Sequence, residues 1–257
     1  MCRIAAYQGP AIPLENIIVR PTHSLLTQSQ HATEAKLAVN GDGFGIAWYQ
    51  PETPLPGLYR DVLPAWADGN LTSLCRMVRS PQFIAHIRAS TVGETSRQNC
   101  HPFTWKNWSF CHNGQVPHIN AIRRRLEAAL PDALYDHRQG TTDSELIFLT
   151  LLAHGLADDP ARAIQAMIAD LGAATHLGPI RLTCVFSDGD ALYGFRHASD
   201  GRCPSLYLSD RLDNGGRAMA SEPLEQCGQR WRPVHPDQLL ELRGLQASYR
   251  DLAPVPA

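Results

Sequence analysis

The sequence has no long hydrophobic run, no excess of charge of one sign and no paired-cysteine metal motif. None of its apolar stretches reaches the length of about 20 residues that a helix needs to cross a bilayer. The formal net charge of the 257 residues is −2, so no nucleic-acid partner is expected. The first residues lack a basic segment followed by an apolar one, so we expect neither a secretory signal nor a membrane partner.

The seven cysteines are odd in number and irregularly spaced. In a chain of this length, such a distribution is typical of reduced thiols rather than of a disulfide framework. We therefore expect a cytoplasmic protein. Hydrophobic residues make up 44% of the chain and charged residues 19%, as in an ordinary soluble protein with a buried core. No motif calls for a cofactor or a metal ion.

Short apolar segments bounded by turn residues predict strands near both ends of the chain. These strands are 2–7, 44–49, 83–88, 108–111, 181–186, 191–195, 206–208 and 218–220, with further strands from Leu239 onward. Helical spacing predicts helices at 21–31, 71–78, 119–130, 142–154 and 160–171. Residues 51–56 are predicted to form a surface loop. This order favours an α+β fold with two sheets over alternating βαβ units. No repeat or linker interrupts it, so residues 1–257 are expected to form one domain.

Cysteine follows the initial methionine directly, as Cys2. If Met1 is removed, one residue carries both a thiol and a free α-amino group. A free cysteine titrates near ~8.5 and an α-amino group near ~7.7–8.0, so the amine can act as the base for its own thiol. Terminal nucleophiles of this kind are an established catalytic arrangement. On its own, however, a cysteine at the second position is better explained as an accident of the start site.

An arginine stands at the end of the predicted strand 83–88. Burying Arg88 there is costly unless an anion accompanies it. Its planar guanidinium suits two-pronged contact with a carboxylate, either of a ligand or of a protein side chain. From this segment alone, the two interpretations are equally good.

The predicted strand 108–111 ends in the sequence His112-Asn113-Gly114, which is typical of a turn. An alternative interpretation is an oxyanion hole, in which the Asn113 amide and the Gly114 N–H point at a developing negative oxygen. Each such donor is worth about 2.7–4 kcal/mol of barrier. Taken in isolation, the turn is the better interpretation.

The segment 141–145 reads Thr-Thr-Asp-Ser-Glu and is typical of the start of a helix. A functional interpretation is that Asp143 holds an ammonium group. Together with Cys2, the segments describe a pocket for an α-amino acid. Arg88 would take the carboxylate and Asp143 the ammonium, while Cys2 would attack a side-chain carbonyl, as in glutamine.

These residues, taken in order, resemble the class II glutamine amidotransferases, which are N-terminal nucleophile hydrolases. The matching segments are Cys2, 40–49 (NGDGFGIAWY), 86–91 (HIRAST), 112–114 (HNG), 142–145 (TDSE) and 220–224 (ASEPL). The opening Met-Cys-Arg and the Ser-Glu-Pro-Leu stretch are most similar to the stand-alone branch of that family, the type of the γ-glutamyl amidohydrolases in ergothioneine biosynthesis.

The resemblance implies a four-layer αββα sandwich of two antiparallel sheets between helical layers. It implies that Cys2 becomes the first residue and forms a γ-glutamyl thioester, with Asn113 and Gly114 as the oxyanion hole. It also implies that Arg88 and Asp143 bind the substrate. Two residues join that substrate-binding set, Thr91 with a hydroxyl near the carboxylate and His112. The residue after Thr91 is Val92, where purine-type and glucosamine-type members carry histidine.

Several alternatives stay open at this point. Either water accepts the glutamyl group, or a separate synthase partner uses the released ammonia. Association of the chain into a homodimer is also open. A hydrolase of the same fold acting on other acyl amides would not need Arg88 and Asp143 as a clamp. A zinc-binding interaction module could use the pairs 100–101 and 111–112, both Cys-His, but their spacing matches no Cys-x-x-Cys pattern. A subunit of this fold that needs a partner in order to act is a further alternative.

Overall fold

The computed structural model describes residues 2–35, 38–89, 94–172, 175–225 and 230–252. The strands are β1 Arg3–Pro13, β2 Phe44–Gln50, β3 Thr53–Asp61, β4 Arg79–Ile87, β5 Phe103–Trp105, β6 Trp108–Gln115, β7 Arg181–Ser187, β8 Ala191–Ala198, β9 Tyr207–Ser209, β10 Arg217–Ala220, β11 Trp231–Pro233, β12 Gln238–Arg243 and β13 Gln246–Asp251. The α-helices are α1 Glu15–Ile18, α2 Leu25–Gln30, α3 Gly69–Met77, α4 Asn120–Ala128, α5 Asp132–His137, α6 Asp143–Ala153 and α7 Pro160–Gly172. Three short 3-10 turns lie at Ala65–Ala67, Arg97–Asn99 and Thr175–Leu177.

The strands form two antiparallel sheets. The first has seven strands in the order β11-β9-β10-β1-β4-β2-β3, and the second has six in the order β13-β12-β8-β7-β6-β5. Strand β1 lies inside the first sheet, where Ala5 is paired with Ala220 on one side and with Ala85 on the other. The first residues of the chain are therefore held between two strands.

Three separate apolar clusters show how the layers stack. Along β1, Ala5 and Tyr7 point to the cluster shared with α1, α2 and α3, whereas Ile4 and Ala6 point to the cluster shared with the second sheet. This alternation follows from the two-residue period of a strand. The third cluster packs α4, α6 and α7 on the other face of the second sheet. Three cores between four layers confirm the predicted αββα sandwich.

Most predicted elements are confirmed, including the helices at 142–154 and 160–171 and the paired strands of the tail. Two local predictions are wrong. Residues 53–56 lie in strand β3 rather than in a surface loop, because β3 pairs with β2 as far as Thr53. Residues 112–114 do not form a turn; they continue strand β6, with Gly114 opposite Leu182 of β7.

Among the helices of the described ranges, none is long and apolar enough to cross a membrane.

Candidate active site

Cys2 lies immediately before β1 and touches the end of β4. The backbone N–H of Ala89 donates to the Cys2 Sγ at 3.5 Å, and the thiol lies 3.7 Å from the Ala89 carbonyl oxygen. Burial raises the pKa of the Cys2 thiol, and the Ala89 amide and the charges of Arg3 and Arg88 offset only part of this increase. At neutral pH the thiol therefore needs a base to become a nucleophile.

Arg88 follows β4 and is only 3% exposed. Its backbone N–H donates to Gly43 at 2.8 Å, and its carbonyl accepts from Asp42 at 3.1 Å, so the segment before β2 is attached to the end of β4. The guanidinium Nη1 makes a long hydrogen bond of 3.4 Å to the Asp42 carbonyl. The sheet thus places a buried cation one residue from the backbone that contacts the Cys2 thiol.

Asn113 is fully buried in β6, yet among the described residues neither atom of its side-chain amide has a hydrogen-bond partner. Buried polar atoms are nearly always satisfied, so this amide is available to a ligand. Gly114 follows it against β7, where a Cβ atom would collide with the Arg181 carbonyl oxygen and lie 2.6 Å from the His112 ring. Only glycine allows this close approach of the two strands.

His112 belongs to a short chain of polar contacts that ends at Asp143. Its Nε2 lies 3.3 Å from the Arg181 carbonyl, and its Nδ1 lies 2.9 Å from Ser144 Oγ. Burial lowers the pKa of His112, against the opposing effect of Asp143, so the ring is neutral. A carbonyl only accepts, so we infer that Nε2 carries the proton and that Nδ1 accepts from the Ser144 hydroxyl.

The two oxygens of Asp143 have different partners. The Ser144 hydroxyl lies 3.3 Å from Asp143 Oδ1 and is shared between Asp143 and His112. The other oxygen, Oδ2, accepts from the Val116 N–H at 3.0 Å. Because a carboxylate oxygen accepts more than one hydrogen bond, Oδ1 can also accept from a ligand.

The start of α6 holds Asp143 in place. Thr142 is the N-cap, and its hydroxyl accepts from the Glu145 N–H at 3.2 Å. The Glu145 carboxylate accepts from the N–H groups of Gln139 at 2.9 Å and Gly140 at 2.7 Å. Since Thr142 is the cap, the Asp143 side chain is free of that role and reaches the end of β6 instead.

Contacts between the sheets bring the two halves of the site together. His86 of β4 contacts the His112 carbonyl of β6 at 3.3 Å through its Nε2. Burial raises the pKa of the Cys111 thiol of β6, and the Cys2 thiol raises it further. The structure therefore places the nucleophile candidate and Arg88 on one sheet, facing the strand that carries Asn113 on the other.

Thr91 and the neighbouring Val92 lie outside the described residues. In the described part of the chain, no group of three His, Cys, Asp or Glu side chains is arranged to hold a metal ion.

Sequence reasoning missed the Ser144 hydroxyl and the buried guanidinium of Arg3, which donates to the Cys2 carbonyl at 2.6 Å. The available signal in the sequence was the position of Arg3, a charged residue between Cys2 and the apolar residues of β1.

Comparison with known proteins gives consistent matches. A model of the class II glutamine amidotransferases matches residues 15–209. A probable glutamine amidotransferase of Saccharomyces cerevisiae, DUG3, is 38% identical over 160 residues, which are 59% of this chain but only 45% of the yeast protein. The γ-glutamyl-hercynylcysteine sulfoxide hydrolase of Mycolicibacterium smegmatis is 26% identical over 246 residues, covering 95% of this chain and 96% of that protein.

Solved structures agree with these matches. A glutamine aminotransferase class-II domain protein from Silicibacter pomeroyi superposes with a TM-score of 0.78 and 37% identity, over 98% of this chain and all of that one. The glutamine phosphoribosylpyrophosphate amidotransferase of Bacillus subtilis, 13% identical with a TM-score of 0.64, shares the fold over 98% of this chain and 49% of its own.

Proposed function

Because the chain belongs to the class II glutamine amidotransferases, amidohydrolases with the N-terminal-nucleophile fold, we propose that it cleaves the γ-amide of glutamine or of a γ-glutamyl compound. The observation that carries this proposal is the half-buried Cys2 thiol, which faces the strand with the unsatisfied Asn113 amide. The similarity to a γ-glutamyl hydrolase along almost the whole chain supports a γ-glutamyl substrate.

In the proposed reaction, Met1 is removed and the α-amine of Cys2 accepts the thiol proton. Burial raises the pKa of the thiol, and this makes an adjacent base necessary. The thiolate attacks the γ-carbonyl carbon of the substrate. The C–N bond of the γ-amide then breaks, and ammonia or an amine leaves with the proton that the α-amine of Cys2 returns. Water then attacks the resulting γ-glutamyl thioester, so that glutamate is released and the thiol is restored.

Substrate recognition in this proposal uses both sheets. Arg88 pairs with the α-carboxylate, assisted by Thr91, and Asp143 accepts from the α-ammonium through Oδ1. His112 acts indirectly, through its contact with the Ser144 hydroxyl that lies beside Asp143 Oδ1. The Asn113 Nδ2 and the Gly114 N–H stabilise the oxyanion during formation and breakdown of the thioester.

The first experiment combines intact mass with a labelling reaction. We expect the purified protein to lack Met1 and to gain one adduct, on Cys2, after treatment with 6-diazo-5-oxo-L-norleucine, an electrophilic analogue of glutamine. Retention of Met1, or an adduct on another residue, would contradict the proposed nucleophile.

Turnover is then measured with glutamine and with γ-glutamyl-p-nitroanilide. Cys2→Ala should abolish glutamate release, because it removes the sulfur on which the proposed thioester forms. Cys203→Ala is the matched control, since Cys203 is also a half-buried free thiol. A simple N-acyl anilide tests the rival acyl-amide specificity, and we expect no hydrolysis of it. Release of ammonia from glutamine without a partner protein supports water as acceptor, whereas activity only with an added synthase would favour ammonia transfer.

A further inference from the structure

The carboxylate of Glu222, just after β10, is 1% exposed and saturated with hydrogen bonds. Arg3 Nη1 donates to it at 2.6 Å and His23 Nε2 at 2.7 Å. Thr33 donates through its N–H at 3.0 Å and its hydroxyl at 2.6 Å, and the Glu34 N–H donates at 2.9 Å. Burial alone would raise its pKa, but these donors outweigh burial and lower the pKa of Glu222 to about 2.

Arg3 extends this contact to the nucleophile. Its Nε donates to the Cys2 carbonyl oxygen at 2.6 Å while its Nη1 holds Glu222. The preceding residue, Ser221, holds Ile4, which follows Arg3 in β1. The Ser221 hydroxyl accepts from the Ile4 N–H at 2.9 Å, and the Ser221 N–H donates to the Ile4 carbonyl at 2.9 Å. The segment 221–222 therefore holds the beginning of β1 at two successive residues.

Cys2 is thus held at two points by different parts of the fold. Ala89 contacts its Sγ, and Arg3 holds its carbonyl oxygen. The carbonyl carbon is bonded to the Cα that carries both the thiol-bearing side chain and the nitrogen that becomes the α-amine. Rotation of this carbonyl would therefore move the nucleophile relative to its own base.

We propose that Glu222, acting through Arg3, is a positioning residue for the Cys2 nucleophile. This inference rests on the proposed function, because it assigns Cys2 the nucleophilic role. The Glu222 carboxylate also accepts hydrogen bonds from Thr33 and Glu34, so it connects these two residues to the start of β1 and to the nucleophile.

A purely structural role is the alternative. Buried ion pairs are often no more stabilising than apolar side chains of the same volume, so stability alone is a weak reason for this pair. Catalysis, by contrast, depends on geometry, since a misplacement of about 1 Å can cost roughly 100-fold in rate. The two roles therefore predict different effects on turnover in variants that remain folded.

Arg3→Met removes the link to Cys2 and leaves Glu222 with its donors from His23, Thr33 and Glu34. We expect a folded protein whose kcat falls by roughly 100-fold with KM unchanged, as a misplaced nucleophile requires. Arg3→Lys keeps the charge, but an ammonium lacks the fork that reaches both partners, so kcat should stay low. Arg217→Met is the matched control, because Arg217 also donates from Nε to a backbone carbonyl, that of Ser209. Arg217 lies at the end of β10 that is remote from Glu222.

Glu222→Gln tests the carboxylate itself, and kcat should fall as in Arg3→Met. The second readout is the rate of Cys2 alkylation by iodoacetamide between pH 6 and 10, which requires no substrate. We expect the alkylation profile to shift in Arg3→Met and Glu222→Gln but not in Arg217→Met. If the wild type alkylates at Cys2 but cleaves no γ-glutamyl substrate, the proposed function fails and the positioning role is judged on the profile alone. Folded Arg3→Met and Glu222→Gln proteins with wild-type kcat and alkylation profile would overturn the positioning role.

Discussion

At the residue scale, the proposal assigns different roles to two asparagines: Asn113 serves a ligand and Asn99 serves the fold. Both are buried. Asn99 donates to the Glu94 carbonyl and accepts from the Thr141 N–H, each at 2.9 Å, whereas the Asn113 amide has no partner in the part of the chain that the structure describes. An unsatisfied buried amide costs stability, and the proposed oxyanion supplies the missing partner only during the reaction.

Asn113→Leu should therefore separate stability from activity. We expect unchanged or increased thermal stability, because an apolar side chain of similar shape replaces an unsatisfied amide. We expect kcat to fall by about 10²–10³, the loss typical of one oxyanion donor. Thermal denaturation and glutamate release check the two parts.

Asn99→Leu is the matched control for this substitution. It should lower the free energy of unfolding by about 1–3 kcal/mol for each backbone group left unsatisfied. If Asn113→Leu destabilises the protein as much as Asn99→Leu and leaves kcat intact, the amide belongs to the fold rather than to the site.

The residues with chemical roles in the proposal could be singled out from the sequence because each stands in a short local motif. Their supports could not. Arg3 and Glu222 are 219 positions apart, and His112 and Ser144 are 32 apart. Such pairs depend on which strands become neighbours, and no local pattern encodes that choice.

At the scale of elements, the start of α6 was predictable and the course of β6 was not. The sequence Thr-Asp-Ser-Glu carries its own capping chemistry, and Thr142 is the N-cap in the structure. The Asn-Gly pair at 113–114 favours a turn locally, but pairing with β7 keeps it extended. Pairing with β7 therefore overrides the local preference for a turn. It can do so because Gly114, which has no Cβ atom, lets the two strands approach closely.

Thr142→Ala should destabilise the protein by about 1 kcal/mol, the usual cost of losing an N-cap hydroxyl. Thr142 caps the helix that begins at Asp143, and Asp143 binds the substrate ammonium in the proposal. We therefore also expect KM for a γ-glutamyl substrate to rise. Thr142→Ser retains the hydroxyl and should restore both values. Chemical denaturation and steady-state kinetics measure them. Equal stability of the Ala and Ser variants would show that the cap contributes nothing to the helix.

At the scale of the whole molecule, the sequence order of strands, helices and strands predicted two sheets but not their composition. The first sheet combines β1 to β4 with β9, β10 and β11, which come from the last quarter of the chain. This long-range assembly brings Glu222 to Arg3. The second sheet consists of β5 to β8 with β12 and β13, so the site lies where strands distant in sequence face each other.

Three buried histidines make the molecule sensitive to acid. The His86 and His101 rings stack with their centroids 4.0 Å apart, and His112 adjoins them through the contact of its carbonyl with His86. Burial lowers the pKa of His86 to about 3, that of His101 well below its ordinary value, and that of His112 below its ordinary value. All three rings are therefore neutral in the native state near pH 7.

An unfolded histidine takes up a proton near pH ~6.5, whereas these native rings do not. Below that pH the unfolded state binds more protons, so the free energy of unfolding must fall as the pH falls from about 6.5 toward 3. Each ring contributes up to about 1.4 kcal/mol per pH unit. We expect a steep loss of stability in this window, measured by urea denaturation at a series of pH values.

His101→Phe tests the origin of this loss, because it preserves a ring against His86 and removes one proton site. The slope of unfolding free energy against pH should decrease by about 1.4 kcal/mol per pH unit, whatever the change in stability at pH 7. His235→Gln alters an exposed histidine and should leave the slope unchanged. Identical slopes in wild type and His101→Phe would mean that the acid sensitivity arises elsewhere. The Glu222 carboxylate is the next group to test, because its pKa is lowered from 4.5 to about 2 and its contribution to stability is lost as the pH falls between these values.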